Sequence, residues 1–227
     1  MNIAVFGTGV VGQVIAQSLA EKKHAVVIGT RDPAASKQKK TKDGWGTPFG
    51  VWYESHGDIR VGTYEEAAAF GEVVINATNG GGSLGALSLA GEAALGDKIL
   101  LDIANPLDFS KGAPPTLLVC NDDSLGEQIQ RAYPRLKVVK TLNTMNCELM
   151  VNPGRLPGEH DVFVSGNDEA AKTRVKSFLA EWFGWRSRNI IDLGDITTAR
   201  GTEQMLPLWV RLYGVLKTGE FNFHVVR

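Results

Sequence analysis

The sequence predicts an α/β fold: a doubly wound, mainly parallel sheet with a small C-terminal α/β lobe. Three features predict it. The apolar run Ile3-Ala4-Val5-Phe6 leads into Gly7-Thr8-Gly9-Val10-Val11-Gly12, then into a stretch of helical spacing, and a second apolar run ends in Gly29-Thr30-Arg31. Apolar, strand-like runs then alternate with helical patterns, at 72–76, 98–103 and 136–140. The chain beyond 146 repeats that alternation on a smaller scale.

The opening βαβ unit is the most specific signal. A G-x-G-x-x-G at a strand-to-helix junction is the fingerprint of a Rossmann-type dinucleotide site. Gly7 allows the tight turn out of the strand, Gly9 leaves room for a pyrophosphate against the backbone, and Gly12 lets the helix pack close to the sheet. The diphosphate then meets free N–H groups and the positive dipole end of the helix beginning at Val10.

The end of the second strand selects the cofactor. An NAD site usually carries an acidic residue there for the ribose 2′-OH. Here Thr30 and Arg31 offer a hydroxyl and a guanidinium, which suit a 2′-phosphate, and Lys37 adds charge. Asp32 is the candidate ribose acid, but Asp32-Pro33 also reads as an N-cap followed by proline at the first helical position. The capping reading, and with it NADP, is preferred.

The 227 residues allow one large domain, or one domain with a small lobe. With 24 basic and 25 acidic residues the net charge is −1, which argues against nucleic acid or a membrane surface as the main partner. No apolar run approaches the roughly 20 residues of a membrane span, and Met1 leads straight into a strand rather than a signal peptide. Cys120 and Cys147 form no C-x-x-C and read as reduced, partly buried thiols of a cytoplasmic protein.

In chain order, residues 37–42 carry four lysines and read as a solvated face or loop. The aromatic residues Trp45, Phe49, Trp52 and Tyr53 follow. The last three fit a short helix ending at His56-Gly57, packed on the sheet or forming a lid over the adenine end. A strand at 59–61 precedes a helix boxed by Thr63 and Glu66. The strand at 72–76 ends in Ala77-Thr78-Asn79, followed by three glycines that give slack before a helix at Ser83. Loops at strand C-termini line the ligand crevice of a doubly wound sheet. Ala77, Thr78 and Asn79 are therefore expected beside the nicotinamide ribose, and Ala104-Asn105-Pro106 opposite the nicotinamide ring. Asp102, inside an apolar run, needs partners if buried and reads as a cap of that turn. Ser124 and Glu127 box a helix over 124–132. The sixth strand, 136–140, runs into Asn143-Thr144-Met145-Asn146. Beyond it come a strand at 161–166, an amphipathic helix at 168–183 and a strand at 189–193. A helix at 197–216 follows, with Met205, Leu208, Trp209, Leu212 and Leu216 on one face and a kink at Pro207. The tail, 221–226, adds a strand or docks on a neighbour.

Four segments together bring a family into view: the glycine turn, Ile28-Gly29-Thr30-Arg31, residues 138–145 and the helix carrying Thr198-Ala199-Arg200, Glu203 and Leu206-Pro207-Leu208. The chain resembles the F420-dependent NADP oxidoreductases, whose nucleotide domain is similar to that of the STEAP metalloreductases. The resemblance implies a nucleotide domain over 1–145 and a lobe over 146–227, with a cavity between them. It places NADP on Thr8 to Val11, Thr30 and Arg31, and an acceptor pocket at Asn105, Pro106, Asn143, Thr144, Met145, Leu206 and Pro207. Family members pass hydride between NADPH and C5 of the deazaflavin F420. They can carry His where Asn143 stands and Pro where Asn146 stands.

Direct hydride transfer needs distance and orientation more than an acid or base. That suits a chain whose four histidines, His24, His56, His160 and His224, are scattered, with no acid partner or metal-ligand cluster evident. The expected partner is a small-molecule electron acceptor, and the expected assembly a homodimer. Two rival readings stand beside this one: an NADPH-dependent flavin, quinone or carbonyl reductase, and a non-catalytic NADP-binding redox sensor.

Overall fold

The computed structural model describes residues 1–41 and 46–226; Lys42 and Trp45, named above, lie outside the described residues. The opening unit forms as the pattern predicts: β1 (Asn2–Phe6), α1 (Val10–Glu21) and β2 (Ala25–Thr30). α2 (Pro33–Gln38) starts at Asp32, whose carboxylate accepts the Ala35 N–H at 2.9 Å. α3 (Phe49–Glu54) buries Phe49 and Trp52 against the α1 side of the sheet, so these two aromatics are core. β3 (Arg60–Thr63) leads into α4 (Tyr64–Phe70), with both halves of the Thr63–Glu66 box formed. β4 (Val73–Asn76), α5 (Ser83–Ala90), α6 (Glu92–Leu95) and β5 (Ile99–Asp102) follow. A two-stranded ribbon, β6 (Leu107–Asp108) and β7 (Thr116–Leu117), precedes α7 (Leu125–Ala132) and β8 (Lys137–Thr141). The chain closes with α8 (Cys147–Val151), β9 (Val162–Gly166), α9 (Glu169–Phe183), β10 (Ile190–Gly194), α10 (Ala199–Gln204) and α11 (Leu206–Leu216).

The main sheet has the order β10-β9-β8-β5-β4-β1-β2-β3. Its strands pair in parallel except β8 with β9. The chain steps outward from β1 through β2 to β3, then returns to the other side of β1 at β4. That reversal is the switch point at which such sheets bind ligands. Both faces are covered, and alternate residues of each strand feed two cores. Ile3 and Val5 face α1, α8 and α9; Ala4 and Phe6 face α4, α5 and α7. The predicted core stripe of α9 (Ala171, Val175, Phe178, Leu179, Trp182) is fully buried. Burying one such large apolar side chain is worth about 1.5–3 kcal/mol, so this helix is firmly held.

Some expectations change. Pro207 breaks the predicted 197–216 helix outright into α10 and α11, and the buried residues of α11 are Leu206 and Trp209. Leu208 and Leu216 are exposed, while Trp209 beside Leu208 in the same helix is buried. Cys120 is exposed, whereas Cys147 is buried and its thiol is pushed up to about 11, chiefly by burial, which makes it a poor nucleophile. The tail docks on its own chain. Buried Asp161 accepts the Val225 N–H at 2.7 Å and faces His224 Nδ1 at 2.9 Å, while its own N–H donates to the Phe223 carbonyl. Burial pushes the Asp161 carboxyl up, but its donors from Val225, Asn189 and His224 outweigh that and hold it below the usual carboxylate value. Such a group stabilises the fold above its unfolded pKa, and that contribution is lost as pH falls through the depressed folded value. Asp161→Asn is therefore expected to raise amide exchange at Val225 at neutral pH and to flatten its acid dependence. Unchanged exchange would show the tail to be held by other contacts.

Candidate functional site

The site begins at the glycine turn. Gly7 has φ +115°, and a Cβ there would lie 2.6 Å from the Ala77 carbonyl oxygen. A Cβ at Gly12 would lie 2.2 Å from the Gly7 carbonyl oxygen. At Gly9, by contrast, a Cβ would meet nothing within 4 Å. Two glycines thus close the turn and the third leaves it open. No side chain caps α1, so its first N–H groups are directed at that opening. Gln13, buried in the first turn, donates to the Thr8 and Thr47 carbonyls at 3.0 Å each, tying the loop before α3 to the turn.

At the end of β2, Thr30 Oγ1 and Ser36 Oγ lie 2.9 Å apart, with Arg31 exposed beside them. Asp32 is engaged as the cap of α2, as above. Lys37 Nζ stands 5.0 Å from the Tyr53 ring centroid. Two hydroxyls and a guanidinium at one strand end form a cluster suited to a phosphate monoester. Ser36 was not among the residues singled out from the sequence; its place one turn into α2 beside Thr30 is what reveals it.

At the β4 end, Ala77 is buried against Gly7 and Thr78 is half-buried; its Oγ1 donates to Asn76 Oδ1 at 2.7 Å. Asn79 is exposed, and its side chain caps the next turn by accepting the Gly81 N–H. Gly80 does more than supply slack: a Cβ there would fall 2.1 Å from the Asn105 carbonyl oxygen, so the β4 and β5 turns touch. Asn105 and Asn143 bind each other. Asn105 Nδ2 donates to the Asn143 carbonyl at 2.8 Å, and Asn143 Nδ2 donates to Asn105 Oδ1 at 2.9 Å. Ala104 and Pro106 are buried, as are Asn143, Thr144 and Met145. Leu206 is buried and Pro207 exposed.

Beneath these turns runs a buried polar row. Asn76, Asp102, Lys140 and Ser165 are cross-strand partners at the C-terminal ends of β4, β5, β8 and β9. Lys140 Nζ donates to Asp102 Oδ2, the Ala104 carbonyl and Glu203 Oε1, each at 2.7 Å. Asp102 Oδ1 accepts from Asn76 Nδ2 at 2.8 Å and from the Ala104 N–H at 3.3 Å, so the expected turn cap is real but joined to an ion pair. Glu203 accepts the Leu125 and Gly126 N–H groups at 2.8 and 3.0 Å, at the start of α7. Half of the expected box forms, Ser124 Oγ accepting the Glu127 N–H at 3.1 Å, while the Glu127 carboxylate is engaged elsewhere. It binds the Ser124 hydroxyl and pairs through both oxygens with Arg200, whose hydrogen bonds hold its carboxyl below the ordinary value. Burial pushes the Lys140 ammonium down, but the Asp102 and Glu203 carboxylates outweigh it and raise its pKa. Lys140, Glu203, Asn76 and Ser83 were not picked out as partners from the sequence. A lysine ending one apolar strand and an aspartate ending another was the available signal, and pairing needed the strand order.

A cavity of about 560 Å³ between α1, α8 and α9 contains none of the residues predicted to form the site.

Sheet order and glycine turn together define a nucleotide-binding α/β protein of the Rossmann class. The family described as NADP oxidoreductase, coenzyme F420-dependent, matches residues 2–106. A proposed F420-dependent NADP-reductase of Arthrobacter sp. FB24 is 53% identical over 100% of both chains, with a TM-score of 0.93. This chain belongs to the F420-dependent NADP oxidoreductase family. A hypothetical protein of Sinorhizobium meliloti, SMa0349, is 22% identical over 88% of this chain and 87% of its own, with a TM-score of 0.65. An imine reductase of Streptomyces aurantiacus is 15% identical over 96% of this chain and 64% of its own, with a TM-score of 0.61. These two share the fold. Among the described residues no helix is long and apolar enough to cross a membrane.

Proposed function

We propose that the chain binds NADP(H) along residues 7–12 and catalyses hydride transfer to a planar acceptor, the deazaflavin F420 or a close analogue. The observation that carries this reading is the asymmetry of the turn: Gly7 and Gly12 are packed against backbone and Gly9 faces open space. That is the shape a pyrophosphate requires. Thr30, Arg31 and Ser36, with Lys37 nearby, surround the adenosine 2′-phosphate. Ala77, Thr78, Asn79 and the Ala104-Asn105-Pro106 turn hold the nicotinamide end. Asn143, Thr144, Met145, Leu206 and Pro207 border the acceptor. In this division residues 1–145 carry the nucleotide and 146–227 close over the acceptor, in a cytoplasmic homodimer.

When bound, the nicotinamide supplies a transferable hydride at its C4. The chain's task is then distance and orientation. The paired Asn105 and Asn143 side chains fix two turns to each other, and the buried polar row fixes both to the sheet. No side-chain proton has to move for a direct transfer between ring carbons.

Arg31→Ala is expected to weaken NADPH binding by about 10- to 100-fold, the worth of a charge-assisted hydrogen bond of about 1.5–3 kcal/mol, and NADH binding by less than about twofold. Equal losses in fluorescence titration would overturn the choice of NADP. Stopped-flow oxidation of NADPH against F420, FMN, FAD and quinones tests the acceptor. Turnover with FMN but not F420 would replace the named acceptor.

A further inference from the structure

We infer that Lys140 and Glu203 are positioning residues for hydride transfer: through them α10 sets the place of the turn that faces the nicotinamide. This rests on the function proposed above. Lys140 is buried at the end of a central strand, and each of its three donor directions is used. One holds Asp102 in β5. A second holds the carbonyl of Ala104, the first residue of the turn carrying Asn105. The third holds Glu203 in α10. The same ammonium therefore touches the sheet, the cofactor-facing turn and the C-terminal helix.

The connections continue outward from both ends. Asp102 leads through Asn76 to Thr78 and Ser83, at the loop beside the nicotinamide ribose. Asn76 itself is fully buried. Glu203 sits three residues before Leu206, where Pro207 breaks the helix, and its carboxylate also receives the two N–H groups that open α7. Ala104 precedes Asn105, which is locked to Asn143 by two hydrogen bonds. The turns after β4, β5 and β8 thus meet α10 in one hydrogen-bonded network with Lys140 at its centre. A rigid sheet alone would fix the strand ends. It would not fix the height of a turn above them or the reach of a helix joined by the short turn Ile196–Thr198 after β10. A central cation with carboxylates on two sides does, since its donors are all committed and losing an acceptor on one side leaves a buried donor without its partner. Both side chains are buried among protein groups, so they act through the turn rather than on cofactor or acceptor.

The test is Glu203→Gln in the full chain. Glutamine keeps the shape, but its amide nitrogen cannot accept, so Lys140 or the α7 N–H groups must lose an acceptor. Lys140 remains paired with Asp102, so folding should survive. In single turnover at saturating NADPH, the transfer rate constant is expected to fall at least tenfold, with NADPH affinity within twofold of the wild type. A merely structural role would shrink the reaction amplitude and lower Tm while the surviving molecules kept the wild-type rate constant, and that result would overturn the inference. A second readout needs no turnover. Amide exchange in peptides covering 103–107 is expected to quicken at least tenfold in the variant, with α9 unchanged. Protection of 103–107 equal to wild type would also overturn it. A wild type inert toward every acceptor sinks the functional reading instead, and the exchange measurement still decides whether Glu203 sets the turn.

Discussion

Lys140→Met is expected to destabilise the fold by about 3–5 kcal/mol, the usual cost of removing one member of a buried ionic group. Asp102 and Glu203 would then face each other with no cation between them, both inside the protein. Methionine fills the space but supplies no donor to the Ala104 carbonyl. The loss should appear as a shift of the urea midpoint with the slope unchanged. Adding Glu203→Gln should recover part of it, because one of the two opposed charges is gone. The pH dependence has a definite sign. A lysine whose folded pKa is raised contributes its full stability below the unfolded value of about 10.4 and loses it only as pH rises through the folded value. Wild type minus variant should therefore be flat between pH 7 and 9 as far as Lys140 is concerned. A loss below about 1 kcal/mol would mean that the two carboxylates are satisfied by their N–H donors alone.

The second large effect separates two glycines that look alike in the sequence. Gly12→Ala places a methyl 2.2 Å from a backbone carbonyl oxygen that cannot rotate away. Overpacking of this kind costs about 1–3 kcal/mol, and it should also spoil the pyrophosphate turn. Gly9→Ala has the opposite signature. Its φ of −71° and ψ of 173° suit alanine, and no atom lies within 4 Å. Stability should change by less than about 0.5 kcal/mol, while NADPH affinity falls by at least about tenfold, because the methyl occupies the path of the diphosphate. Thermal melts with and without NADPH distinguish the two variants. A Gly9→Ala protein that binds NADPH as well as wild type would remove the nucleotide from this turn.

Much of this architecture was readable along the chain because its signals are local. The apolar runs, the Asp32 cap before Pro33 and the Thr63–Glu66 box each involve residues within a few positions of one another. The two caps are satisfied within their own turns, and the apolar runs announce burial whatever packs against them. The failures have a shared cause. Ser124 and Glu127 have the spacing of a box and form its serine half, but Arg200, seventy-three residues away, captures the glutamate carboxylate. Leu208 and Leu216 fit an apolar stripe with Trp209, but it is Trp209 that the tail covers, through the Phe221 ring, while the two leucines stay exposed. Cys120 has the composition of a core residue and sits on the surface.

By itself, the sequence determined the βαβ turn, the identity of its glycines, the hydroxyl and guanidinium at the end of β2 and the succession of strands. Each follows from steric limits or hydrophobic periodicity within a short stretch. Tertiary structure alone decided that Asn76, Asp102 and Lys140 share one row, that Glu203 closes it, and that Asn105 faces Asn143. Those contacts join residues between 26 and 63 positions apart, and only strand order and register bring their polar groups within hydrogen-bond reach.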